Sequence, residues 1–154
     1  MSTKKILIIM ITSFCSCFIV SHFFFQIILI QGDSMAPTYH HLEFAIVTKN
    51  TSAITRGDVI LFKCETLDCN LIKRVVGLPG DTIQLKDGVL LINNTPSNVY
   101  SSISFAGLTE KPIQLADDEY FVLGDNYESS KDSRYPEIGN VNITSIIGKI
   151  YPQR

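Results

Sequence analysis

The sequence predicts a mostly β chain, with a single N-terminal transmembrane helix followed by a compact β domain. Three observations carry this. Ile6 to Ile30 is a run of 25 residues without Asp, Glu, Lys or Arg. The rest of the chain consists of short apolar segments, rich in β-branched residues and broken by Gly, Asp and Pro at strand-like spacing. No segment after Ile30 keeps a sustained helical period. A length of 154 residues suffices for one domain with a real core.

The elements follow in order. Residues 1–5 form a short N-terminus with Lys4 and Lys5. Residues 6–30, as a helix, would reach about 37 Å at ~1.5 Å per residue, against a bilayer core of about 30 Å. A cleavable signal peptide is the alternative, but the run is long and no small-x-small site follows it. No Lys or Arg appears after the run until Lys49, so the positive-inside bias places the N-terminus in the cytoplasm. Residues 31–154 then form an extracytoplasmic β domain. Its expected strands are 44–49, 56–63, 71–77, 82–86, 89–93, 119–125 and 145–151. Asp87-Gly88 is a strong hairpin signal between two of them. Residues 94–118 read as irregular.

A net charge of −2 provides no basic field, which argues against nucleic acid as a partner. Cys15 and Cys17 lie within the apolar run, where they read as small apolar fillers; lipid attachment is the alternative. Cys64 and Cys69 bracket Glu-Thr-Leu-Asp between two expected strands. An oxidising compartment permits a disulfide there, with free thiols or a metal pair as alternatives; no nearby His supports a metal. No metal and no cofactor is expected.

"GDSMAPT" places Ser34 just past the apolar run. A free serine hydroxyl is a weak nucleophile and needs a base. His40 and His41 are near in sequence, but no carboxylate is placed to orient either in a triad, and they read as a solvated pair. Lys73 sits in "NLIKRVVG" among Leu71, Ile72, Val75 and Val76. An apolar setting lowers a lysine's pKa and frees its amine to act as a base. The other reading is a lysine snorkelling from a strand edge. Arg74 would point to the opposite face and be ion-paired.

Four blocks, "GDSMAPT", "RGDVILF", "IKRVVGLPGD" and "GDNYESSKDSR", occur in this order between Gly32 and Arg134. Together they resemble the type I signal peptidases, membrane-bound Ser–Lys dyad proteases; the "SIIGKI" tail also fits. The resemblance implies a signal-peptidase-like β domain on the outer side of the plasma (inner) membrane, and an endopeptidase that removes signal peptides from exported precursors. It implies Ser34 as nucleophile, Lys73 as base and Ser130 as a hydrogen-bond partner of the lysine amine. Arg74, Asp125, Asp132 and Arg134 would brace the site. Met35, Leu71 and Ile72 are the expected walls of the substrate pocket. Partners would be signal-peptide-bearing precursors and membrane lipids.

Gly32 departs from the many relatives that carry Ser two residues before the nucleophile, where its hydroxyl helps stabilise the oxyanion. Gly-Asp-Ser-Met resembles a subgroup with Gly at that place, and the oxyanion hole would then rest on the Ser34 backbone N–H, with or without a neighbouring donor. Three alternatives stand beside this reading: a specialised relative for a conjugative or pilin-type precursor, a self-cleaving Ser–Lys regulator, and a membrane-tethered β domain that only binds a partner.

Overall fold

A computed structural model describes residues 3–151. Helix α1 covers Thr3–Phe24, and the chain then turns directly into strand β1, Phe25–Leu29. The expected helix over 6–30 therefore ends six residues early. The last part of the apolar run pairs in antiparallel register with β2 (Phe44–Thr48), from Phe25↔Thr48 to Leu29↔Phe44. Ile30 is buried and Ile28 half-buried, while Ile27 and Leu29 stay exposed. That two-residue alternation is a strand's, and it overrides the continuous apolar composition that suggested a longer helix. No helix among the described residues is long and apolar enough to cross a membrane.

The remaining strands are β3 (Val59–Cys64), β4 (Cys69–Gly77), β5 (Thr82–Lys86), β6 (Val89–Ile92), β7 (Thr95–Pro96), β8 (Ile113–Gln114), β9 (Glu119–Leu123), β10 (Val141–Asn142) and β11 (Ile146–Tyr151). They form an antiparallel seven-stranded sheet in the order β1-β2-β11-β3-β4-β9-β10 and a smaller sheet in the order β7-β6-β5-β8. Every strand expected from the sequence is present, with ends shifted by no more than three residues and 82–86 unchanged. The β5–β6 hairpin turns on Asp87 and Gly88 at φ 52° and 76°, the paired positive values that a two-residue hairpin turn of the favoured twist demands. Asn93 and Asn94 repeat this at φ 52° and 63°, opening the segment expected to be irregular with a second tight turn into β7. Asparagine tolerates that region better than other non-glycine residues.

Three apolar clusters hold the domain together. One joins the small sheet to Val76, Phe121 and Leu123 of the large one. A second packs Ile30, Met35 and Tyr39 against Val47, Val59, Leu61 and Ile150. The third gathers Ile60, Phe62, Val75, Val122 and Val141. Strand β4 lies between β3 and β9, so its centre is buried from both sides and from both neighbours.

Cys64 and Cys69 face each other across the β3–β4 ladder, but both are free thiols. The disulfide admitted by the sequence is not formed. Cys64 is buried and turns its Sγ to the carbonyl of Glu137 at 3.6 Å, whereas Cys69 is exposed at the hairpin end.

Candidate active site

Lys73 lies near the middle of β4, opposite Ile60, and is 3 % exposed. Its Nζ donates to Ser34 Oγ at 2.7 Å, across 39 residues of chain. The snorkelling alternative is thereby excluded: the amine points inward. Burial pulls its pKa down from 10.5 to about 8. Asp132 and Asp125 oppose that pull, and Arg134 reinforces it. At pH 7 about a tenth of such a lysine is neutral and able to accept a proton.

Ser34 sits on the loop between β1 and β2, half-buried, with Met35 fully buried behind it. The loop is fastened at several points. Asn126 donates its backbone N–H to Ser34 O at 3.1 Å and its side-chain amide to Asp33 O at 3.2 Å. Thr38 donates to Asp125 Oδ2 at 2.5 Å. Gly32 adopts φ +90°, a left-handed conformation suited to glycine, and its N–H donates to His41 Nδ1 at 2.9 Å. The Ala36-Pro37 peptide is cis. The Ser34 backbone N–H has no acceptor among the described residues.

Beneath the pair run two ion pairs. Arg134 is 1 % exposed and Asp132 is fully buried; Nε and Nη2 of the arginine meet the two carboxylate oxygens at 2.7 and 2.9 Å. The carboxylate also accepts from Gly124 N, and the guanidinium donates to the carbonyls of Phe105 and Tyr127. Such additional bonds are what a buried charge needs. Arg74 grips Asp125 with Nε and Nη2 at 2.8 and 2.6 Å and donates to Gly57 O at 2.7 Å. That pair ties β4 to the turn after β9, and the Asp125 bond raises the Arg74 pKa.

Ser130 is where the resemblance and the structure part. Its hydroxyl is buried, but no hydrogen bond to Lys73 is made, nor one to any other described residue. Instead Ser130 packs against Gly124: a Cβ there would come within 2.2 Å of Ser130 Oγ and 2.4 Å of Ser34 O. Gly124 lets the β9 turn approach the Ser34 loop this closely. The motif "GDN" contained that signal, and only the three-dimensional neighbours make it legible.

A cleft of about 350 Å³ opens beside Ser34 and Lys73. Met35, Leu71 and Ile72 line it together with Ile28, Leu29, Ile30 and Leu61, and Gln31 and Asn70 stand at its polar part. Sequence reading missed Ile28 because it assigned that residue to the membrane helix. No cluster of three or more metal-ligating side chains occurs among the described residues. The arrangement offers a hydroxyl bonded to a lysine of lowered pKa, a free backbone N–H on the same residue and an apolar trough, which together are the requirements of acyl transfer.

Residues 3–152 match the family described as signal peptidase, peptidase S26. The chain belongs to this family. It is 35 % identical over 145 residues to "Signal peptidase I P" of Bacillus subtilis subsp. natto, covering 85 % of this chain and 77 % of that protein. "Signal peptidase I T" of Bacillus subtilis (strain 168) is 35 % identical over 130 residues, or 75 % and 67 % of the two chains. Among solved structures, a signal peptidase I from Enterococcus faecalis V583 superposes with a TM-score of 0.52 at 29 % identity, covering 64 % of this chain and 97 % of that one.

Proposed function

We propose that this member of the signal peptidase family is a serine endopeptidase that removes N-terminal signal peptides from exported precursors. The observation that carries the reading is the 2.7 Å bond between Ser34 Oγ and a buried lysine amine. Neutral Lys73 takes the Ser34 proton as Oγ attacks the scissile carbonyl. The oxyanion forms against the Ser34 N–H. Protonated Lys73 then gives its proton to the leaving amine. Water, deprotonated by the same amine, hydrolyses the Ser34 ester and restores the enzyme. The precursor lies extended along the cleft, with small side chains against Met35, Leu71 and Ile72. Arg74, Asp125, Asp132 and Arg134 hold β4 and the β9 turn in the register that this needs.

Placement at a membrane belongs to the same reading. The N-terminal segment anchors the chain in the plasma (inner) membrane with its short N-terminus cytoplasmic and the β domain extracytoplasmic. Support comes from the uncharged run and from α1 side chains such as Phe14 and Phe18, which the protein itself leaves exposed. Ile27, Leu29, Phe44, Ile46 and Tyr151 extend that apolar surface across the outer strands. Sedimentation with membranes after alkaline wash, and protection of the β domain from protease added on the cytoplasmic side, check this seating.

The activity is tested by incubating detergent-solubilised protein with a signal-peptide-bearing precursor beside Ser34→Ala and Lys73→Ala. Cleavage after a small residue that is lost in both variants is expected. A folded Ser34→Ala variant that still cleaves would overturn the reading. Comparing a general exported precursor with a pilin-type one distinguishes a broad enzyme from a dedicated one.

A further inference from the structure

The loop that carries Ser34 is closed at its neck by a side chain that the proposed mechanism does not use. The β1–β2 ladder continues one rung past its last paired residues: Ile30 N donates to Glu43 O and Leu42 N to Ile30 O, at 2.9 and 2.8 Å. At the next position no backbone carbonyl receives Gly32 N–H. His41 Nδ1 does, at 2.9 Å. An imidazole nitrogen thus stands in for a strand carbonyl, two residues before Ser34.

We infer that His41 is a positioning residue for Ser34. Three facts support this. The bond ends the ladder at the point where the chain departs into the left-handed Gly32, so its loss frees the following residues to fray. The other fastening of this side, Asn126 to Asp33 O and Ser34 O, lies beyond the neck and cannot hold Gly32. And Ser34 Oγ must stay within hydrogen-bond reach of Lys73, a distance to which acyl transfer is steeply sensitive. His41 also engages the Gly32 amide, while the Ser34 N–H two residues on has no acceptor among the described residues. To accept this bond, Nδ1 carries no proton and the imidazole proton sits on Nε2.

This inference rests on Ser34 being the nucleophile, and the experiment separates the two. Precursor cleavage is measured for the full-length protein and for His41→Asn, His41→Leu and Ser34→Ala. Asparagine offers an acceptor oxygen where Nδ1 stands; leucine fills the space without one. His41→Leu is expected to lower kcat roughly two- to tenfold with KM unchanged, the span of one net hydrogen bond. His41→Asn is expected to recover most of that loss. Hydrogen exchange at the Gly32 amide should quicken in the leucine variant and return toward the parent rate in the asparagine one. Equal kcat in the parent and His41→Leu, or equal loss in the leucine and asparagine variants, would overturn the inference while an inactive Ser34→Ala left the proposed mechanism standing. A cleaving Ser34→Ala would instead overturn both.

Discussion

Lys73 and Ser34 are 2.7 Å apart, yet they are held by opposite means. Lys73 stands on an interior strand, flanked by β3 and β9, where apolar packing fixes its place and burial sets its pKa. Ser34 stands on a half-buried loop kept in shape by separate polar fastenings, from His41, Asn126 and the Thr38–Asp125 bond. The lysine's chemistry therefore comes from the core, while the serine's position depends on hydrogen bonds that can be lost one at a time. Damage on the lysine side should be all-or-none or global; damage on the serine side should be graded.

The largest effect expected on the lysine side is on catalysis. Lys73→Ala should cut kcat by roughly 10²–10⁴-fold, the contribution of a positioned general base, with circular dichroism unchanged. Next comes the platform beneath it. Arg134→Met leaves Asp132 buried without its partner and should destabilise the fold by about 3–5 kcal/mol in urea unfolding. Lys63→Ala provides the contrast, since the Lys63–Glu65 contact is 3.8 Å long and exposed; its loss should change stability by less than ~0.5 kcal/mol.

Burial of Lys73 also has a cost that stability measurements can read. Its folded pKa of about 8 lies below the 10.5 of a free lysine, so the unfolded chain binds the proton more tightly. Stability from this group rises as pH climbs from about 8 to 10.5, and below 8 the full penalty is present. Lys73→Met should accordingly be more stable than the parent at pH 7, by roughly 3 kcal/mol, with the gain shrinking toward pH 10.5. The rate profile reads the same lysine. kcat/KM should rise about tenfold per pH unit up to about pH 8 and then level off. A flat profile between pH 6 and 8 would break the assignment of Lys73 as base.

The β domain was largely legible in the sequence because strands and hairpin turns are local signals. "TIQLKDGVLLIN" shows the case: alternation over 82–86, then Asp87-Gly88, then the short apolar run 89–92, and the hairpin is there. β1 was not legible. Phe25–Leu29 is apolar enough to continue a helix, and its strand form depends on β2, which lies fifteen residues beyond its end and offers a ladder. Composition cannot register a partner that distant. His41 is exposed, as a solvated histidine should be, but its bond to the Gly32 amide was not legible either. That bond arises only because the ladder runs out at Gly32, and a solvated pair of histidines looks the same in sequence with or without it.

By itself the amino-acid sequence determined the residue types that the chemistry needs: a serine in a Gly- and Pro-bounded turn, and a lysine among β-branched neighbours. It also determined the mostly β architecture. Tertiary structure alone decided that the lysine amine points inward, that Ser130 stays without the expected bond, and that Cys64 and Cys69 remain apart as thiols. The physical reason is common to all three. Which contact a side chain makes is set by the neighbours that fill the space around it, and those neighbours come from segments distant in the chain.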